Sequence, residues 1–94
     1  MFTVSPSRPS EGHSVACFSV QAATDPGIMP RVLQQFAKRG LVPARWHSAT
    51  VGPDGGELHI DIQLAIAPGS PVEHLAACLR GIPGVGTVLT STRA

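Results

Sequence analysis

Between Leu58 and Ile66 every second residue is a large aliphatic one. Leu58, Ile60, Ile62, Leu64 and Ile66 alternate with His59, Asp61 and Gln63. A period of two places the aliphatic set on one face of a β-strand, whereas a helix would scatter it around its axis. The segment therefore reads as a strand with one buried face, and the rest of the chain must cover that face. Ser14 to Ala23 repeats the pattern: Ala16, Phe18, Val20 and Ala22 point one way, Ser19 and Gln21 the other.

Two segments carry helical spacing instead. Ile28 to Arg39 places Ile28, Val32, Leu33, Phe36 and Ala37 on one face, with Gln34, Gln35, Lys38 and Arg39 polar and Gly40 as a terminator. Pro30 lies in its first turn, where a missing N–H costs least. Ser70-Pro71-Val72-Glu73 reads as a capping box with proline at the first helical position. It opens a helix carrying Val72, Leu75, Ala76 and Leu79 and closed by Gly81.

Two further strands complete the chain. Leu41 to Val51 is the least regular, and Pro43 inside it argues for a sheet edge, because a central strand needs that N–H. Pro53-Asp54-Gly55-Gly56 is a hairpin signal leading into the Leu58 strand. Val85 to Thr92 is the last strand, reached through a turn at Pro83 and Gly84. The order is βαββαβ. Right-handed crossovers put both helices on one face of a four-stranded antiparallel sheet with strand order 4-1-3-2, the Pro43 strand at an edge. Residues 1–12, rich in Ser and Pro, are expected to be a disordered tail, leaving 13–94 as the one domain.

Composition narrows the function classes. The net charge is +1 with no basic stripe, so the footprint of a nucleic-acid binder is missing. No apolar run approaches the eighteen or so residues needed to span a membrane, and residues 1–12 do not read as a secretion signal. The expectation is a cytoplasmic protein. Charged residues are only 14% against 43% hydrophobic, which predicts a partner or a second copy rather than a solitary domain. Two cysteines, Cys17 and Cys78, are too few for a disulfide scaffold or a four-thiolate zinc site, and both are expected to be reduced.

The stretch Ala22-Ala23-Thr24-Asp25-Pro26-Gly27-Ile28-Met29 joins the first strand to the first helix. Asp25 can cap backbone donors, Pro26 fixes φ, and Gly27 lets a ligand approach the backbone. The open N–H groups at the helix start, with the positive end of its dipole, suit a carboxylate. The single glycine argues against a dinucleotide pyrophosphate. An ordinary strand-to-helix turn accounts for the same residues.

The strand, the Asp-Pro-Gly-Ile turn, the helix ending Phe36-Ala37-Lys38-Arg39-Gly40, and the following strand and hairpin together resemble an ACT domain over about residues 14–92. ACT domains are small regulatory modules that usually bind amino acids. The resemblance implies an α+β, ferredoxin-like βαββαβ fold. Within the family the likeness is to the acetolactate synthase small (regulatory) subunit, whose short form is little more than one ACT domain. It implies a noncatalytic regulatory subunit of branched-chain amino-acid biosynthesis, partnered by the catalytic subunit. That partner would hold thiamine diphosphate, magnesium and flavin; this chain would hold no cofactor. The alternative is a free-standing amino-acid-sensing ACT domain acting on another enzyme or regulator.

The resemblance also assigns site residues. Gly27 matches the glycine whose backbone meets the effector. Thr24 and Val42 stand where effector-binding small subunits carry asparagines, and this chain contains no asparagine at all. Each net hydrogen bond contributes roughly 1 kcal/mol, more when charged, so these replacements weaken binding by about one to two orders of magnitude. The ligand-binding set is then Thr24, Asp25, Gly27, Ile28, Met29 and Val42, with the carboxylate on the N–H groups of Gly27, Ile28 and Met29. Valine, leucine or isoleucine would suit the apolar surroundings. Arg45 and Trp46 are interface candidates, tryptophan being enriched at hot spots, and the expected assembly is a homodimer joined through strand two.

Other constellations carry less. Cys17, His59 and Asp61 share the face away from the helices and contain the residue types of a nucleophilic set, on a face with no pocket to exclude water. His47, His59 and Asp61 would suit a metal only in one hairpin register, because a three-residue and a four-residue loop place His47 on opposite faces. Gly81, Gly84 and Gly86 follow a helix and read as a turn, not a nucleotide loop. His74 falls on a solvated helix face and His13 in the tail. No catalytic residue and no metal site is assigned.

Overall fold

The computed structural model describes residues 14–67 and 69–93; the expected tail, with His13, lies outside the described residues. The elements run β1 (Ser14–Ala23), α1 (Ile28–Ala37), β2 (Arg45–Val51), β3 (Glu57–Ile66), α2 (Val72–Arg80) and β4 (Val85–Arg93). The sheet order is β2-β3-β1-β4 with every pair antiparallel, which is the expected order read from the other edge. β1 and β3 register Phe18 against Ile62 and Val20 against Ile60. Their alternate residues Ala16, Phe18, Val20, Ala22, Leu58, Ile60, Ile62 and Leu64 are buried, joined by Val88 of β4. Ile28, Val32 and Phe36 of α1 and Leu75, Ala76 and Leu79 of α2 cover them. Phe18 and Phe36 meet edge to face, with centroids 5.5 Å apart.

Three local expectations are corrected, and one open alternative is decided. First, α1 ends at Ala37, not Arg39. Gly40 adopts φ 72, its N–H donates to Ala37 O, and the Leu41 N–H donates back to Phe36 O. This is a Schellman turn with Gly40 in the left-handed position, and it closes the helix. The buried stripe is Ile28, Val32 and Phe36, spaced by four; Leu33 lies one residue off it and is 45% exposed, and Ala37 is exposed.

Second, β2 begins at Arg45, not Leu41. Leu41 is used by the helix terminus and Pro43 has no N–H, so pairing to β3 starts only with Ala44 N–H donating to Gln63 O. Third, the capping box does not form. The Ser70 hydroxyl donates to Ala67 O, and Glu73 accepts from the Thr90 hydroxyl. The chain instead enters α2 through an inverse γ-turn, with Pro71 at φ −81, ψ 67 and the Val72 N–H donating to Ser70 O. The hairpin register, open from the sequence, is decided by the pairing: residues 52–56 form the loop, closing on Val51 opposite Glu57. This is the register of the three-residue loop with one more pair opened, so His47 lies opposite Asp61.

Tight packing surrounds the end of β1. Ala23 N–H donates to Gly84 O. Gly84 has φ 97, and a Cβ there would lie 2.8 Å from Ile28 Cδ1. Gly84→Ala combines backbone strain with overpacking and is expected to destabilise by about 1–3 kcal/mol. Urea denaturation is the check; an unchanged midpoint would mean that Ile28 repacks without cost.

Candidate functional site

The turn between β1 and α1 carries most of the assigned ligand-binding residues, Thr24, Asp25, Gly27, Ile28 and Met29. Asp25 lies two residues before Gly27, and its Oδ1 accepts the Gly27 N–H at 2.9 Å. Its backbone oxygen accepts the Ile28 N–H at 3.0 Å. Asp25 thus caps the turn as its sequence position predicts. Two of the three N–H groups assigned to a ligand carboxylate are thereby engaged within the turn. Met29 supplies the one that neither oxygen of Asp25 takes, since Pro30 has none.

Arg31 is the residue that sequence reasoning missed. Long helical side chains lean toward the N-terminus, and Arg31 lies four residues after Gly27. A Cβ built on Gly27 would sit 3.4 Å from Arg31 Nη1 and 3.4 Å from Asp25 Oδ1. The two charges flank the bare Cα of Gly27 without pairing, for the one ion pair within 4.0 Å among the described residues is His59–Glu57. Gly27 itself has φ −75, so its value here is space and not a special backbone angle. An i, i+4 spacing between Gly27 and Arg31 was the available signal.

The remaining assigned residues divide around this turn. The Thr24 hydroxyl donates to Gly55 O at 2.7 Å, tying the turn to the β2–β3 hairpin. Val42 falls in the loop before β2 and is 83% exposed. Trp46 registers against Ile62 and therefore lies on the helix side of the sheet, where it packs on the core. Arg45, its neighbour along the strand, projects to the opposite face beside His47 and Asp61. Met29, Pro30, Leu33, Pro43 and Trp46 line a shallow apolar depression of about 360 Å³ that starts one residue beyond Ile28.

The outer sheet face gathers Cys17, His59 and Asp61, as expected, and the hairpin register adds His47 to them. Cys17 stands opposite Gln63, four residues along β3 from His59. That separation is roughly 13 Å at the strand rise, too far for a nucleophile and its base. His59 Nε2 instead lies 3.2 Å from Glu57 Oε1. No group of three or more His, Cys, Asp or Glu side chains among the described residues is placed to hold a metal. Among them, too, no helix is long and apolar enough to cross a membrane.

Thr24→Val removes one hydroxyl donor at constant shape. It is expected to destabilise by about 1 kcal/mol and to speed amide exchange in the 52–56 loop; unchanged exchange would show that the loop holds its position without Thr24.

No family model matches this chain, and no curated protein matches it. Solved structures do. The C-terminal domain of the MgtC protein from Mycobacterium tuberculosis superposes with a TM-score of 0.70 at 18% identity, over 88% of this chain and 90% of that one. The ACT domain of GTP pyrophosphokinase from Chlorobium tepidum gives 0.69 at 15% identity, over 86% and 89%. A putative glycine cleavage system transcriptional repressor gives 0.70 at 18%, over 95% of this chain and 52% of that one, so the chain spans about half its length. Identities this low bear on architecture alone: the chain has the ferredoxin-like βαββαβ fold of an ACT domain.

Proposed function

We propose that this domain is a noncatalytic regulatory module that binds a free α-amino acid at the start of α1. The observation that carries the reading is the pair Asp25 and Arg31 on either side of Gly27, with no ion pair between them. A zwitterion fits such a pair. Its ammonium would go to Asp25, whose carboxylate has lone pairs beyond the one that takes the Gly27 N–H. Its carboxylate would go to Arg31 and the Met29 N–H at the positive end of the helix. The aliphatic side chain, as in valine, leucine or isoleucine, would point toward the dimer interface, near Val42. Thr24, bonded to Gly55, would transmit ligand-induced movement of the turn to the hairpin.

With asparagine absent from the site, the dissociation constant is expected on the order of 0.1–1 mM. At about ten millimolar ligand, that range corresponds to roughly 1.4–2.7 kcal/mol of added stability, or several degrees in Tm. A thermal-shift survey of the twenty amino acids reads it directly. Gly27→Val should abolish the shift and keep the fold, since its side chain would stand between Asp25 and Arg31. If no amino acid moves the midpoint, the effector reading falls.

For the partner, we infer a regulatory subunit of acetolactate synthase acting in the cytoplasm; the turn and helix motifs of the sequence support it. The second reading is a free-standing sensor. The varied contexts of the similar folds, one in GTP pyrophosphokinase and one in a putative transcriptional repressor, favour it. Co-purification with an acetolactate synthase catalytic subunit, and a change in its activity, separates the two.

A homodimer would form by joining the open edges of β2, whose outward N–H and C=O groups are a template for pairing. Trp46 would be close to that seam on the helix side and Arg45 on the other face. Trp46→Glu is expected to shift the chain toward monomer in light scattering at tens of micromolar, where interfaces of standard size persist at roughly 1,600 Å² buried. A variant that stays dimeric but melts early would place Trp46 in the core alone.

A further inference from the structure

The two thiols are both free and both half-buried, but they sit in different surroundings. Cys17 lies on the outer sheet face between the uncharged residues Gln63 and Ser91. Cys78 lies on α2 where that helix meets the end of α1. Arg39 Nη1 donates to Gln35 O at 2.7 Å and to Gln35 Oε1 at 3.1 Å, which anchors the guanidinium to its own helix turn. Its Nη2 then donates to Cys78 Sγ at 3.1 Å. One turn earlier on α2, His74 Nε2 stands 3.8 Å from the same sulfur. The other charged side chains of α2 are turned elsewhere: Glu73 accepts from Thr90, and Arg80 donates to Val88 O.

A fixed cation and a base beside one sulfur is the setting in which a cysteine becomes nucleophilic. Packing does not require it, because neither Arg39 nor His74 is buried and a small apolar residue would fill the place of Cys78. We propose that Cys78 is a modification site, a nucleophilic thiol oxidised by a hydroperoxide, with Arg39 and His74 as its positioning residues. The thiol proton passes to His74. The sulfur attacks one peroxide oxygen, forming an S–O bond as the O–O bond breaks. Sulfur is oxidised by two electrons to the sulfenic acid. The peroxide is reduced, its leaving oxygen taking the proton from His74 to give water or an alcohol. The 3.1 Å contact between Sγ and Arg39 Nη2 leaves no room for the added oxygen, so the modification displaces Arg39 and alters the contact that joins the two helices.

The two cysteines of one chain form an internal comparison. The full chain is reacted at pH 7 with limiting iodoacetamide, and the rate at each cysteine is read by peptide mass spectrometry. Cys78 is expected to react about tenfold faster than Cys17. Arg39→Gln should bring the Cys78 rate down to that of Cys17 and leave Cys17 unchanged, with circular dichroism confirming the fold. Hydrogen peroxide with dimedone as trap should place the adduct on Cys78. Equal rates in the wild-type chain, a faster Cys17, or a trapped adduct confined to Cys17 would each overturn the proposal. The wild-type comparison decides the matter even if the variant does not fold; His74→Gln, on an exposed helix face, is the second variant and should also slow Cys78.

Discussion

The structure depends on the burial of one face of β1. This strand lies between β3 and β4, and its residues Ala16, Phe18, Val20 and Ala22 are buried toward the helices, the two larger ones at the centre. Phe18 fills the gap between α1 and the sheet by meeting Phe36 edge to face. A slip of one residue in β1 would turn this whole set to the opposite face and break the ladders on both sides. Every other element takes its position from that register. β3 matches it with Ile60 and Ile62, β4 with Val88, and α1 with a stripe of Ile28, Val32 and Phe36.

That register also sets up the candidate site, because the turn leaving β1 is held from several sides. The Ala23 N–H reaches Gly84, the side chain of Ile28 packs where Gly84 has no Cβ, and the Thr24 hydroxyl reaches Gly55. These contacts come from loops far apart in the chain. They hold Asp25, Gly27 and the first turn of α1 against the ends of the sheet. Such a turn can present two separated charges without letting them collapse into an ion pair. The far end of α1 is held differently, by the Schellman turn at Gly40 and by Arg39 bridging to Cys78. A change at either end of α1 is therefore felt by a different partner, the hairpin at one end and α2 at the other.

The two sheet faces have separate chemistry. The helix side is aliphatic and extends past α1 into the depression at Trp46 and Leu33. The outer side carries Arg45, His47, Asp61, Gln63, Cys17 and Ser91, with Leu89 59% exposed among them. Neighbouring residues Arg45 and Trp46 serve opposite faces, so a partner at the β2 edge would meet a cation on one side and an aromatic ring on the other.

How much was legible in advance depended on the range of the interaction. The alternation of β1 and β3, the i, i+4 stripes of the helices and the glycine at the end of α1 are local patterns. From them the element order, the sheet order and the core followed, as did the capping role of Asp25. Residue-level detail at the element ends did not. Ser70 and Glu73 have the spacing of a capping box, but Ala67 and Thr90 compete for them and win, and the competitor Thr90 is remote in sequence. Leu41 looks like strand, yet the helix terminus claims its N–H first. The site shows the same division. Gly27 and Asp25 were readable because a turn is built from adjacent residues. The pairing of Thr24 with Gly55, the approach of Arg31 to Gly27 and the meeting of Arg39 with Cys78 and His74 were decided by tertiary packing. The sequence by itself determined which faces are apolar, and so which elements form and stack. Only the folded structure decided which polar groups meet, because hydrogen bonds are directional and short, and their partners come from segments that only the packed core brings together.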